Sequence, residues 1–166
     1  MQFYLKYNKE KIKLADKPFA GGGEGNLYKI ISPKVLSGYV AKIYHPEKLN
    51  TQREEKIEYL YENPPKGLEE GQHPAFIWVK DILYDGKKEF RGFIMPFIKG
   101  EKLEILSYAK LPKHLGDEWK RFDLRDPKSF ELRLRICFNL AAAIYHIHAT
   151  QHYVVVDLKP ENVIIQ

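Results

Sequence analysis

The first half of the chain is cut into short apolar stretches by Gly, Pro and Asp-Gly, and this constrains the fold more than any other feature. FYLKY, KIKLA, NLYKIIS and GYVAKIY carry β-branched and aromatic residues in rough alternation, which suits strands of period two. The cluster Gly21-Gly22-Gly23-Glu24-Gly25 separates two of them, and Ser32-Pro33 and Ser37-Gly38 mark further turns. Thr51-Gln52-Arg53-Glu54 fits a capping box opening a helix whose apolar face is Ile57, Leu60 and Tyr61. Asn63-Pro64-Pro65 ends that helix, because Pro cannot continue it. FIWVKDILYDGKKEFRGFIMPFI follows as a hairpin around Asp85-Gly86.

Beyond Lys99-Gly100 the pattern changes. Residues 101–127 are charged, aromatic and irregular, as in a connector with a short helix. From Pro127 to Ala149, Leu132, Ile136, Leu140, Ile144 and Ile147 recur at three and four, predicting a long amphipathic helix capped by Asp126. YVVV and VII then predict two short strands around a polar loop. The expected architecture is α+β: a mainly antiparallel sheet with one helix, then a partly helical second lobe, with a cleft between them.

Composition narrows the function classes. A chain of 166 residues suffices for one domain or two small lobes. The net charge of +5 is dispersed among acidic residues, as on a mixed solvated surface rather than a nucleic-acid interface. The one cysteine, Cys137, excludes an internal disulfide, falls in the apolar helical pattern where it is expected to be buried, and suits a reducing cytoplasmic setting. No apolar run approaches membrane-spanning length, and the N-terminus has no signal-peptide core. Neither a nucleic-acid nor a membrane partner is expected.

Three stretches carry chemistry. Glycines between strands let backbone amides approach anionic oxygens, although a plain hairpin turn uses them too. In Tyr39-Val40-Ala41-Lys42, Val40 and Lys42 share a strand face, so a cation stands beside an apolar side chain. Asp157, Lys159 and Asn162, with Pro160 between them, place a carboxylate, an ammonium and an amide in one loop. A carboxylate there can accept a hydroxyl proton, a lysine can stabilise a moving phosphoryl group, and an amide oxygen can ligate Mg²⁺.

DLKPEN resembles the catalytic loop of Ser/Thr protein kinases, the glycine cluster resembles their phosphate loop, YVAK their V-A-I-K strand, and FIMPF their hinge strand. These motifs occur in the family's order. The resemblance implies a protein-kinase-like two-lobe fold, residues 1–98 as N-lobe and hinge and residues 99–166 as a partial C-lobe. It implies ATP and Mg²⁺ as cofactors and transfer of the γ-phosphoryl group to a Ser or Thr hydroxyl of a protein substrate. Gly22 and Gly25 match the second and third loop glycines, with Ala20 where the first is expected. Lys42 would contact the α- and β-phosphates. Leu27 and Val40 would cover one face of adenine, with Ile164 beneath and Met95 at the back. The backbone of Pro96 and Ile98 would meet the adenine edge. Asp157 would be the base, Lys159 the phosphate-stabilising lysine and Asn162 a Mg²⁺ ligand. A helix glutamate should pair with Lys42: helical phase favours Glu54, the count back from Asn63-Pro64 favours Glu55, Glu58 is a third candidate, and the choice stays open.

Three departures qualify the resemblance. Val155-Val156-Asp157 stands where the family has H-R-D, and Pro96 replaces a hinge residue that is commonly acidic. The sequence also ends before a D-F-G segment, so it is expected to be the front part of a kinase domain, weak or inactive alone, with self-association through an uncovered apolar helix face. Two rivals accompany this reading: a nucleotide-binding scaffold without turnover, and a small-molecule phosphotransferase.

Overall fold

Alternation has a direct outcome in β1 (Gln2–Leu5) and β2 (Lys11–Leu14). Phe3, Leu5, Ile12 and Leu14 are buried, while the residues between them face solvent. The computed structural model describes residues 1–65, 76–108 and 110–166, which divide into a first unit, residues 1–97, and a second, residues 98–166.

The first unit adds β3 (Ala20–Gly22), β4 (Gly25–Ser32), β5 (Tyr39–Tyr44), β6 (Asp81–Tyr84) and β7 (Phe90–Pro96). All pairings are antiparallel, in the order β2-β1-β6-β7-β5-β4-β3. Strand β4 also pairs back to β2, with Lys13 opposite Ser32 and Leu14 opposite Ile30. That pairing closes six strands into a barrel and leaves β3 outside the ring on β4. The two-lobe fold expected from the sequence, an antiparallel N-lobe sheet with one helix and an incomplete helical C-lobe, is corrected: the sheet closes into a barrel and few helices accompany it. The reason is the length of β4: residues Gly25 to Lys29 face β5, and the remaining turn of strand is free to reach β2. A register shift between Lys13 and Leu14 bends the join. Phe3, Leu5, Ile12, Leu14, Ile30, Ala41, Leu83 and Ile94 fill the barrel.

Helix α1 (Thr51–Glu62) covers part of the outer surface, where Ile57 packs with Tyr44, Ile82, Phe90 and Phe93. Its cap is Asn50, whose Oδ1 accepts the Arg53 N–H at 2.8 Å. The capping box expected at Thr51 is thus displaced by one residue, because Asn50 holds the extended backbone a cap needs and Asn is among the strongest caps.

The Asp85-Gly86 turn forms, but it is longer than that dipeptide. Asp85 and Glu89 bond across it at 3.0 Å, and the Asp85 carboxylate accepts the N–H groups of Lys87 and Glu89. The left-handed position is Lys88, at φ +62°, not Gly86. A side chain in that region costs about 1–2 kcal/mol, partly offset by the entropy of glycine. Lys88→Gly should therefore raise stability by about 0.5–1 kcal/mol in urea denaturation; an unchanged or lowered midpoint would show that Lys88 carries no strain.

In the second unit β8 (Glu101–Lys102) pairs with β9 (Ile164–Ile165), and 3-10 turns span Leu103–Ser107 and Asp117–Phe122. Among the described residues of this unit the single α-helix is α2 (Ser129–Ala149). Leu132 and Ile136 pack on a core of Ile105, Leu106, Trp119, Phe122 and Ile165. Arg133 braces it, donating to the carbonyls of Leu106 at 2.7 Å and Phe122 at 2.8 Å. The strand expected at YVVV is absent; only Ile164 and Ile165 pair. Cys137, expected inside, is exposed. It lies one residue, about 100°, beyond the inward-facing Ile136. Phe130, Leu134, Phe138 and Tyr145 make the outer side of α2 apolar, Phe138 with 73% of its surface open. Among the described residues no helix is long and apolar enough to cross a membrane.

Candidate functional site

Register assembles the first group of predicted residues. Leu27 on β4 and Phe93 on β7 stand opposite Lys42, and Met95 stands opposite Val40. Directly opposed residues share a sheet face, so Leu27, Val40, Lys42 and Met95 form one patch across three strands. Ala41 points the other way, into the barrel. Pro96 pairs with Tyr39 at the end of β7. Ile98 is half-buried at the start of the second unit.

Lys42 is half-buried, with Nζ 5.3 Å from the centre of the Tyr44 ring. Burial lowers its pKa; Glu24 opposes that effect and Arg53 adds to it. The carboxylate near Lys42 therefore comes from the glycine turn. Neither predicted helix glutamate pairs with Lys42 among the described residues. Glu54 accepts the Tyr84 hydroxyl at 2.5 Å, and Glu55 is exposed. Burial, with Glu54 and Glu58 adding to it, drives the Tyr84 hydroxyl pKa far up.

The two predicted loop glycines do different work. A Cβ at Gly25 would lie 2.3 Å from the Ile43 carbonyl oxygen and 2.9 Å from the Tyr44 Cα, so strand pairing itself demands glycine there. Nothing lies within 4 Å of a Cβ built at Gly22 or Gly23. Packing does not require glycine at these two positions, and the space above them is open. The turn is held from behind: the His45 N–H donates to the Glu24 carbonyl at 3.1 Å, the His45 ring meets the Gly22 carbonyl at 2.9 Å, and Arg53 pairs with Glu24.

Sequence reasoning missed Gly92. A Cβ there would fall 1.9 Å from the Lys42 carbonyl oxygen. Its only signal was a glycine inside a strand pattern, which marks close backbone approach.

In the second unit the polar loop is assembled as well. Lys159 Nζ lies 3.0 Å from Asp157 Oδ2, and the Asn162 amide donates to the same oxygen and to the Asp157 carbonyl, both at 2.9 Å. Lys159 first, and then Asn162, hold the Asp157 carboxyl below the usual carboxylate range. The 3-10 turn Pro160–Asn162 brings Asn162 back to Asp157. Ahead of the loop, His148 of α2 accepts the Val155 N–H at 3.1 Å, a brace that sequence reasoning did not see. Ile164 lies on β9, partly exposed.

No family model matches the chain, and no curated protein matches it. It is similar to the crystal structure of Rad53 1-466, a protein kinase, in complex with AMP-PNP, with a TM-score of 0.54 and 21% identity. The match covers 93% of this chain and 34% of that one, so the chain spans about a third of that protein's length. The chain has a kinase-like fold. At that identity the likeness carries the fold alone.

In the first unit the glycine turn with open backbone, a half-buried cation and an apolar patch lie on neighbouring strands β3, β4, β5 and β7, a donor set whose chemistry suits a nucleotide. For Mg²⁺ the fit is partial. Among the described residues no group of three or more His, Cys, Asp or Glu could hold a metal. Asp157 and Asn162 offer oxygens, which suits an ion that takes most of its ligands from phosphate and water.

Proposed function

We propose that this chain binds ATP with Mg²⁺ and belongs to an enzyme that transfers the γ-phosphoryl group to a Ser or Thr hydroxyl of a protein. One observation carries the reading: Lys42, half-buried beside Leu27, Val40 and Met95, shares its neighbourhood with glycine backbone that packing leaves open. Lys42 would hold phosphate oxygens, Gly22 and Gly25 would present backbone to them, and the apolar patch would hold the base. Pro96 would meet the base's edge through its backbone carbonyl. Asp157 would take the proton of the acceptor hydroxyl, Lys159 would stabilise negative charge beside it, and Asn162 would offer its amide oxygen to the metal. When bound, Mg²⁺ supplies charge neutralisation and ATP the group to be moved.

Calorimetric titration with ATP, with and without Mg²⁺, tests this. Lys42→Ala should weaken binding by about tenfold or more, as loss of a charge-assisted contact does, while Lys13→Ala, at an exposed position of β2, should not. Equal affinities for the two variants would remove Lys42 from the site.

A second reading, nucleotide binding without turnover, has its own support. Glu54 is engaged by Tyr84, so helix α1 gives Lys42 no carboxylate. ATP binding without transfer to any peptide by the complete protein would favour it.

A further inference from the structure

Helix α1 presents a cation where a carboxylate was expected. Arg53 places its guanidinium 4.6 Å over the Tyr44 ring, and Lys42 places its ammonium 5.3 Å from the same ring centre. Two cations thus converge on one aromatic ring, and among the described residues Glu24 is the carboxylate that acts on both. That carboxylate rides on the glycine turn, beside the open backbone of Gly22 and Gly23. Its side chain is 51% exposed against 24% for Arg53. Arg53 is fixed in the capped first turn of α1 and seated on an aromatic ring, whereas Glu24 is the exposed partner.

We propose that Arg53 is a second cationic contact for the phosphates of the nucleotide, and that Glu24 is a stand-in anion which those phosphates displace. The proposal rests on the nucleotide reading and adds a residue to its site. A guanidinium is a planar fork of donors that matches phosphate oxygens in pairs, and its stacking on Tyr44 orients it before a ligand arrives. Two cations against one carboxylate leave a surplus positive charge for a polyphosphate. The coupling agrees: Lys42 feels Glu24 as an attracting charge and Arg53 as a repelling one.

The test titrates wild type, Glu24→Gln, Arg53→Gln and Arg53→Lys with ATP, AMP, adenosine and inorganic tripolyphosphate. Glu24→Gln should tighten ATP and tripolyphosphate by about fivefold, because the competing anion is gone, and leave adenosine unchanged. Arg53→Gln should weaken ATP by about tenfold, AMP less and adenosine not at all, with partial recovery in Arg53→Lys. If Glu24→Gln and Arg53→Gln weaken every ligand alike, the pair only braces the turn and the proposal falls. If ATP binds wild type and both variants equally, the proposal falls while the nucleotide reading stands. If tripolyphosphate follows the expected pattern but ATP binds no better than it and adenosine not at all, the anion site stands and the nucleotide reading falls. If wild type binds neither ATP nor tripolyphosphate, both fall.

Discussion

Gly92→Ala should destabilise the first unit by about 3 kcal/mol, at the upper end of what overpacking does, and on the proposed nucleotide reading should weaken ATP binding with it. The added Cβ would lie 1.9 Å from the Lys42 carbonyl oxygen and 2.9 Å from its carbon. Both are backbone atoms and cannot rotate aside. Strand β7 must then retreat from β5 at the step where Gly92 faces Ile43 and Phe93 faces Lys42. The same movement shifts the strand that carries the half-buried lysine. Urea denaturation reads the first effect and calorimetry the second. A variant with native midpoint and native affinity would show that the strands have slack there.

Asp81→Ala should cost about 3 kcal/mol, because several charge-assisted bonds to one buried group are lost together. Asp81 is fully buried, and its carboxylate accepts the N–H groups of Tyr7 and Asn8 at 3.1 Å each and of Ile82 at 2.7 Å. These bonds fasten the turn after β1 to the start of β6. Asp81→Asn keeps the size but turns one acceptor into a donor among facing donors, so it should cost about 2 kcal/mol. Thermal or urea unfolding of both variants decides it. If Asn matched the wild type, the negative charge would be irrelevant and packing alone would explain the site.

The strands were legible because their pattern is local: each alternation in β1, β2 and β5 has period two and needs no distant partner to be read. The polar loop was legible for the same reason, since Asp157, Lys159 and Asn162 meet within one turn. Barrel closure was not, because Leu14 and Ile30 carry no mark that they face each other rather than solvent or another strand. The environment of Lys42 was also hidden. It depends on which face of α1 packs inward: with Ile57 in the core, Arg53 meets Glu24 and Glu54 meets Tyr84. The family resemblance pointed to a helix glutamate as partner for the lysine; in the fold the carboxylate whose charge reaches Lys42 is Glu24 of the turn, itself paired with Arg53. Cys137 was misplaced because apolar residues lie on both sides of α2, so hydrophobicity alone could not choose its inner face.

Closing a sheet abolishes the hierarchy that an open one has. In an open sheet the outermost strands hold by one side and fray first, and unfolding spreads inward from them. In this ring β1, β2, β4, β5, β6 and β7 each hold by two sides, so the ring should open all at once or not at all. Strand β3 is the exception: it pairs with β4 alone, and all three of its residues are exposed. The segment able to lift without breaching the ring is therefore the one that carries Gly21 and Gly22. On the proposed nucleotide reading, a glycine segment that breathes on a scaffold that does not would admit and release the ligand at little cost to the stability of the whole.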